Sequence, residues 1–176
     1  WADGPAPSIL DPRVVGDGPA TGVLSVYSLS KQSNLAGYRA AFLAGDEQLV
    51  RSILQVRKHA GLMPPAPVQA AMIAALGDDA HVAEQKERYR ARRDALAAAV
   101  RTAGLHIDHS EAGLYLWCPR DEPALDTVAW FAEKGILVAP GTFYEGEQSR
   151  HVRLALTASD ERITASASRL VSASND

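Results

Sequence analysis

Lys31 stands behind two hydroxyl residues, Ser28 and Ser30, and is followed by Gly37-Tyr38-Arg39. A lysine amine is the side chain that condenses with an aldehyde to give a Schiff base. A phosphate calls for short hydroxyl donors and a planar fork, and arginine supplies the fork in bidentate form. Gly37 removes a side chain where the backbone has to approach a ligand or take positive φ. Taken singly, each residue has an ordinary reading as a solvated charge or a turn residue. In this order and spacing they suit a phosphorylated aldehyde.

The elements that must position these groups can be read outward from them. Thr21-Gly22 punctuates the start of a strand in which Val23, Val26 and Tyr27 are β-formers. The strand breaks into a loop of small polar residues that carries Ser28, Ser30 and Lys31. After Arg39, the apolar run Ala40–Ala44 predicts a strand buried on both faces, as in a parallel sheet. Ahead of all this, residues 1–22 hold Pro5, Pro7, Pro12 and Pro19 with four glycines, and read as loop with a short turn at Ser8-Ile9-Leu10. The chain opens without methionine inside this loop, which a processed or truncated chain would explain.

Downstream, Asp46 caps a predicted helix with Leu49, Ile53, Val56 and Ala60 as its stripe, stopped at Gly61. Pro64-Pro65-Ala66-Pro67 separates it from a second helix, Val68 to Leu76, ended by Gly77. The longest helical pattern runs from Asp79 to about Ala103, with Val82, Tyr89, Leu96 and Val100 facing inward. Arg88, Arg90, Arg92 and Arg93 alternate around it and read as a solvated face. Leu105–Asp108 and Leu114–Trp117 read as two strands, Leu125–Lys134 as an amphipathic helix, and Ile136–Ala139 as a strand leading into Pro140-Gly141. His151–Leu156 alternates, with Val152, Leu154 and Leu156 on one face and Arg153 on the other. Ser159 caps a final helix whose core face is Ile163, Ala167 and Leu170.

Composition narrows the function. At 47% hydrophobic and 22% charged, the 176 residues describe a soluble globular protein with material for a core. A net charge of −3 leaves no electrostatic footprint for nucleic acid or an anionic membrane. The single cysteine, Cys118, allows neither an intrachain disulfide nor a cysteine cluster, and reads as a small buried hydrophobe. His106 and His109 lack a nearby third ligand, so no metal site is expected. No apolar run is long enough to span a bilayer and no signal-like segment opens the chain, which makes a cytoplasmic location the default.

Ser28-Leu29-Ser30-Lys31 followed by Asn34-x-x-Gly37-Tyr38-Arg39 resembles the cofactor-lysine signature of the class I and II aminotransferases, fold-type-I enzymes that carry pyridoxal 5′-phosphate (PLP). Two further stretches agree. Gly113-Leu114-Tyr115-Leu116-Trp117 is similar to the family's glycine-aromatic strand, and Ala139-Pro140-Gly141-Thr142-Phe143 to its P-G-x-x-F turn. Tyr144-Glu145-Gly146 departs from the usual F-G ending, which puts the role of Phe143 in doubt. Ser28-x-x-Lys31 also matches the S-x-x-K of penicillin-binding proteins and β-lactamases, but the companion S-D-N and K-T-G occur nowhere.

The resemblance implies an α/β fold corresponding to the C-terminal half of such an enzyme. Residues 1–87 would close the large PLP-binding domain and residues 88–176 would form the small C-terminal domain. Lys31 would hold the cofactor and act as general base and acid, and Ser28, Ser30 and Arg39 would anchor the phosphate. Arg153, in Val152-Arg153-Leu154, falls where the family keeps the arginine that grips the substrate α-carboxylate; a bidentate clamp fixes how Cα–H is presented. The family's upstream phosphate loop, its asparagine and tyrosine near the ring oxygen, and its aspartate for the pyridine nitrogen cannot be assigned here. Asp3, Asp11 and Asp17 lie too close to the lysine strand. A homodimer is implied, together with a missing N-terminal half. Within the family, the Ser28–Arg39 stretch is closest to N-succinyldiaminopimelate aminotransferases of lysine biosynthesis, with glutamate as donor. Aspartate or aromatic aminotransferases and a PLP-dependent β-lyase remain alternatives, as does a cofactor-free fragment. The chain alone is expected not to transaminate.

Overall fold

The computed structural model describes Gly4 and residues 6–172. Among these the chain divides into two compact units, one ending at Glu84 and the other beginning at Gln85. The mixed α/β class read from sequence is what the structure shows.

In the first unit, a turn at Ser8–Asp11 leads into a single helical turn, α1 (Pro12–Val15), capped by the Asp11 carboxylate. Strand β1 (Leu24–Ser28) runs into a four-residue helix, α2 (Leu29–Gln32), then a 3₁₀ turn (Ala36–Tyr38), then β2 (Ala41–Gly45). The two strands pair antiparallel, Leu24 with Gly45 through Ser28 with Ala41. The parallel arrangement expected from the apolar run is therefore corrected. A connection this short has no room for the crossover that parallel strands need, so the chain folds back on itself. Nor is β2 buried on both faces: Ala41–Ala44 are half-buried and Gly45 is exposed.

Asp46 caps α3 (Glu47–His59) as its sequence position predicts, accepting from the N–H groups of Gln48 and Leu49. Its second oxygen accepts from Gly22 N–H at 2.7 Å, tying the start of β1 to that helix. These backbone donors, Gly22 first, hold the Asp46 carboxyl below the ordinary carboxylate range. The inward face of α3 is Val50, Ile53 and Arg57; Leu49 and Val56 of the expected stripe are exposed. After the prolines comes α4 (Ala66–Leu76), stopped at Gly77.

The division between units falls in the first turns of α5 (Ala80–Thr102). The second unit continues with β3 (Tyr115–Pro119), α6 (Ala124–Glu133), β4 (Ala139–Pro140), α7 (Thr142–Glu145), β5 (His151–Ala155) and α8 (Asp160–Ser172). Its sheet has the order β3-β5-β4, all antiparallel. Leu116, Cys118, Val152 and Leu154 form the buried sheet face, and join Leu96 and Val100 of α5, Phe131 of α6, and Ile163 and Leu170 of α8 in one core. Leu156, just past β5, is fully buried with them.

Two expected strands shrink. Leu105–Asp108 contributes a single bridge, Asp108 to Trp117, and the chain turns away at His109, where φ is +48°. Ile136–Ala139 joins the ladder only at Ala139–Pro140. The arginines of α5 also differ from a plain solvated face. Arg92 donates to Asp160 at 2.5 Å and to the Leu156 carbonyl at 3.3 Å, and Arg93 reaches the Ser110 carbonyl at 2.9 Å. Both are ties between elements. No helix among the described residues is long and apolar enough to cross a membrane.

Candidate active site

The Lys31 side is built around Leu29. Its side chain is fully buried, its N–H donates to Ala40 O at 3.1 Å, and its carbonyl accepts from Ser33 N–H and Leu35 N–H. The Leu29–Ala40 bond extends the ladder one step beyond Ser28–Ala41. The segment between is thereby closed into a loop, with Ser28, Ser30 and Lys31 on its outgoing limb and Arg39 on its return. Sequence-distant donors and the amine thus share one end of the hairpin.

Within the loop, Ser28 ends β1 and caps α2, its hydroxyl oxygen accepting from Ser30 N–H at 3.2 Å. That leaves the hydroxyl proton free to donate. Ser30 is half-buried, while Ser28, Lys31 and Arg39 are exposed. Lys31 has no hydrogen bond or ion pair among the described residues, so its amine is uncommitted. The Tyr27 hydroxyl meets the Gln32 side chain, and the Tyr27 and Phe42 rings pack at 5.4 Å.

Arg39 takes the left-handed conformation, φ +53° and ψ +40°, as does Asn34 at φ +53°. This revises the expectation for Gly37, which lies inside the 3₁₀ turn with open space where a Cβ would stand. The strained positions flank it instead. A non-glycine in this region costs free energy and persists when its surroundings fix it. Here one Arg39 Nη donates to Ala36 O at 2.9 Å, which pins the side chain back on the loop and leaves its other N–H groups for an anion.

Arg153 belongs to the second unit, at the centre of β5 opposite Trp117. Alternation sends Val152 and Leu154 into the core and puts Arg153 on the face that also carries Tyr115 and Trp117. Its guanidinium lies 4.1 Å from the Tyr115 ring centroid and 4.9 Å from that of Tyr144. Two ring faces hold a cation in place without using its N–H donors. Arg153 Nε is buried and has no hydrogen-bond partner among the described residues. A buried donor left unmade is costly, so the guanidinium is set up for an acceptor such as a carboxylate.

The Pro140-Gly141 turn is shaped by contact. A Cβ on Gly141 would stand 2.1 Å from Ser149 Oγ and 2.6 Å from His151 O, so a larger residue there must displace backbone. Gly141 N–H donates to His151 O at 2.7 Å and α7 follows at once, presenting Tyr144 toward Arg153. Phe143 is 74% exposed, its ring meeting that of Tyr144 at 6.4 Å. His151 stacks on Trp117 at 4.9 Å between the carboxylates of Glu145 and Asp108. Cys118 is fully buried, and burial pushes its thiol up to about 12.

Sequence reading passed over Leu29 as an anchor and Tyr144 as a ring beside Arg153. Strand alternation carried a signal for Tyr115, which is two residues from the partner of Arg153. For Tyr144 no such signal exists, because its place depends on how α7 leaves the glycine.

The sequence profile of the family described as aminotransferase class I and II matches residues 5–170. The chain is 59% identical over 163 residues to a probable aminotransferase of Mycobacterium tuberculosis, a match covering 93% of this chain and 39% of that protein. It is 56% identical over 163 residues to the 4-dedimethylamino-4-oxo-anhydrotetracycline transaminase OxyQ of Streptomyces rimosus, covering 93% of this chain and 45% of the relative. Among solved structures, an aspartate aminotransferase variant of Thermus thermophilus superposes with a TM-score of 0.79 at 23% identity, over 92% of this chain and 45% of that one. The chain spans less than half the length of these proteins.

Proposed function

The chain belongs to the class I and II aminotransferase family, and on that premise we propose that the protein containing it moves an amino group between an amino acid and a 2-oxo acid or aldehyde acceptor with PLP as cofactor. When bound, PLP supplies an electron sink for the pair left when Cα loses its proton. Lys31 Nζ would hold the cofactor through its aldehyde group and would act as the base and acid that moves the proton at the substrate's Cα. The free amine of Lys31, the Ser28 and Ser30 hydroxyls and the pinned Arg39 fork suit the aldehyde and phosphate ends of PLP. Arg153 binds the substrate carboxylate, its Nε donor unspent and its plane held by Tyr115 and Tyr144. The observation that carries this reading is the Leu29–Ala40 closure, which returns Arg39 to the end of the strand that carries Ser28 and leads into Lys31.

In the same reading, residues 1–87 belong to the cofactor-binding domain and 88–176 to the small domain. The partner for the pyridine nitrogen comes from polypeptide corresponding to the relatives' N-terminal half. The assembly is a cytoplasmic homodimer. Glutamate is the donor, and N-succinyl-2-amino-6-oxopimelate is the acceptor favoured by the Ser28–Arg39 stretch. The similarity to OxyQ favours a second acceptor class, a polycyclic ketone.

A panel assay tests both. Intact protein with PLP and glutamate should form 2-oxoglutarate in the presence of the succinylated aldehyde acid, and the panel should include oxaloacetate, aromatic oxo acids and a polycyclic ketone. Transfer to the ketone alone would replace the favoured acceptor. Release of pyruvate and ammonia from a β-substituted amino acid, without transfer to any acceptor, would make the protein a β-lyase and overturn the aminotransferase reading.

A further inference from the structure

We infer that His81 is a positioning residue for Lys31, tying the lysine-bearing turn to the start of α5 through Ser33; the inference rests on the role given to Lys31 above. Helix α2 has four residues, and one helical turn does not hold itself in water. On one side it is held by the buried Leu29 and that residue's backbone bonds. On the other, Ser33 closes the turn with its N–H on Leu29 O at 3.1 Å, and its hydroxyl lies 2.9 Å from His81 Nε2. Ser33 follows Lys31 by two residues and His81 follows Ser33 by 48. Among the described residues this is the one side-chain hydrogen bond reaching residues 28–40 from beyond the β1–β2 hairpin.

The imidazole is itself held. Asp78 Oδ2 lies 3.1 Å from His81 Nδ1, while Asp78 Oδ1 accepts from Ala80 N–H at 2.9 Å and His81 N–H at 3.4 Å. These backbone donors, Ala80 first, keep the Asp78 carboxyl below its ordinary range, so it stays an acceptor. An acceptor at Nδ1 fixes the ring proton there, as carboxylate partners of histidine do elsewhere. In the neutral ring Nε2 then accepts a hydrogen bond from the Ser33 hydroxyl. In the charged ring Nε2–H donates to Ser33 Oγ. The tether survives either state, so it serves as a fixed strut for the turn that aims Nζ.

The test uses the intact protein loaded with PLP. His81→Ala and Ser33→Ala should each lower kcat about five- to tenfold with KM for the amino donor little changed, since small misplacements of a reacting group cost rate rather than affinity. Each should also move the pH midpoint of the lysine–cofactor absorbance band. The double variant should be no worse than either single one, because both remove the same bond. His81→Gln, whose amide can still meet Ser33 Oγ, should restore most of kcat and the parent midpoint. A role confined to stability would lower Tm and leave the midpoint where it was. The inference is overturned if His81→Ala keeps both kcat and the midpoint, or if Gln is as damaging as Ala. Lys31→Ala runs alongside: if that variant keeps the absorbance band, the assignment of Lys31 fails, which is a different outcome from failure of the strut.

Discussion

The two units place their chemistry on different foundations. In the unit beginning at Gln85, Arg153 sits on a three-stranded sheet whose other face belongs to a core drawn from three helices. In the unit ending at Glu84, Leu29 and Ala40 are the fully buried apolar side chains described, Val26 is 70% exposed, and Ile73 of α4 is 73% exposed. The lysine turn there is held by the buried Leu29 side chain, backbone ladder bonds, an N-cap and the His81–Ser33 bond, with no helix-covered core behind it among the described residues. A guanidinium proposed to grip a carboxylate the same way each time would gain from such a rigid seat. Lys31, for which the cofactor role is proposed, sits where local order is least self-supporting, as expected of a site that a ligand completes.

The largest effect expected is from Lys31→Ala. It removes the amine proposed to move the Cα proton, so turnover should fall by about 10⁴-fold or more, with PLP still retained through its phosphate. Steady-state rates together with borohydride trapping check this. Cofactor that still becomes covalently fixed to the chain on reduction would show that another amine holds it, and the contrast drawn between the two units would lose one side.

Next comes a matched pair of core deletions. Leu116 and Leu29 are both fully buried. Leu116→Ala opens a cavity in the helix-covered core and should cost about 2–5 kcal/mol of global stability, read as a lower denaturant midpoint. Leu29→Ala removes the anchor of the lysine turn, so its main signature should be lost PLP affinity, with the second unit's melting little moved. Equal loss of global stability from both would mean that the two units unfold as one.

Arg153→Lys keeps the charge but not the fork. With charged hydrogen bonds contributing about 1.5–3 kcal/mol each, kcat/KM for amino acids should fall by about 10- to 100-fold, with the cofactor absorbance unchanged. An equal fall for amines lacking a carboxylate would contradict the grip. Arg39→Ala is the counterpart in the first unit: the same magnitude predicts at least about tenfold weaker PLP binding, measured by equilibrium dialysis. An unchanged dissociation constant would make Arg39 a turn residue and nothing more.

What could be read from sequence follows from how local each signal is. The Asp46 cap and the 151–156 alternation are short-range patterns, and the structure puts each where that pattern requires. The direction of β2 was not legible, because an apolar run such as Ala40–Ala44 fits a doubly buried parallel strand and a half-buried hairpin arm alike. The left-handed residue was misplaced for a similar reason. Gly37 is the residue most able to take positive φ, yet closure against Leu29 puts that demand on Arg39. Arg92 and Arg93 looked like a solvated row because their partners, Asp160, Leu156 and Ser110, lie far along the chain. His81 was invisible in the same way.

The smallest effect, and the most direct probe of the contrast, concerns Cys118. Its thiol lies in the second unit's core, where burial raises its pKa from 9.0 to about 12. The reactive form is the thiolate, so at pH 8 a thiol reagent should label Cys118 only when that unit opens. The amides of Val26 and Tyr27, on the exposed hairpin, should exchange with solvent well before Cys118 is labelled. The pH dependence has a defined sign. The folded pKa lies above the unfolded one, so the contribution of the neutral buried thiol is whole below about pH 9. It declines as pH rises from there through about 12. Cys118→Ser, small and without a thiol, should flatten that part of the stability curve. Labelling of Cys118 at the rate of a free thiol, or exchange at Val26 slower than that labelling, would reverse the order of the two units.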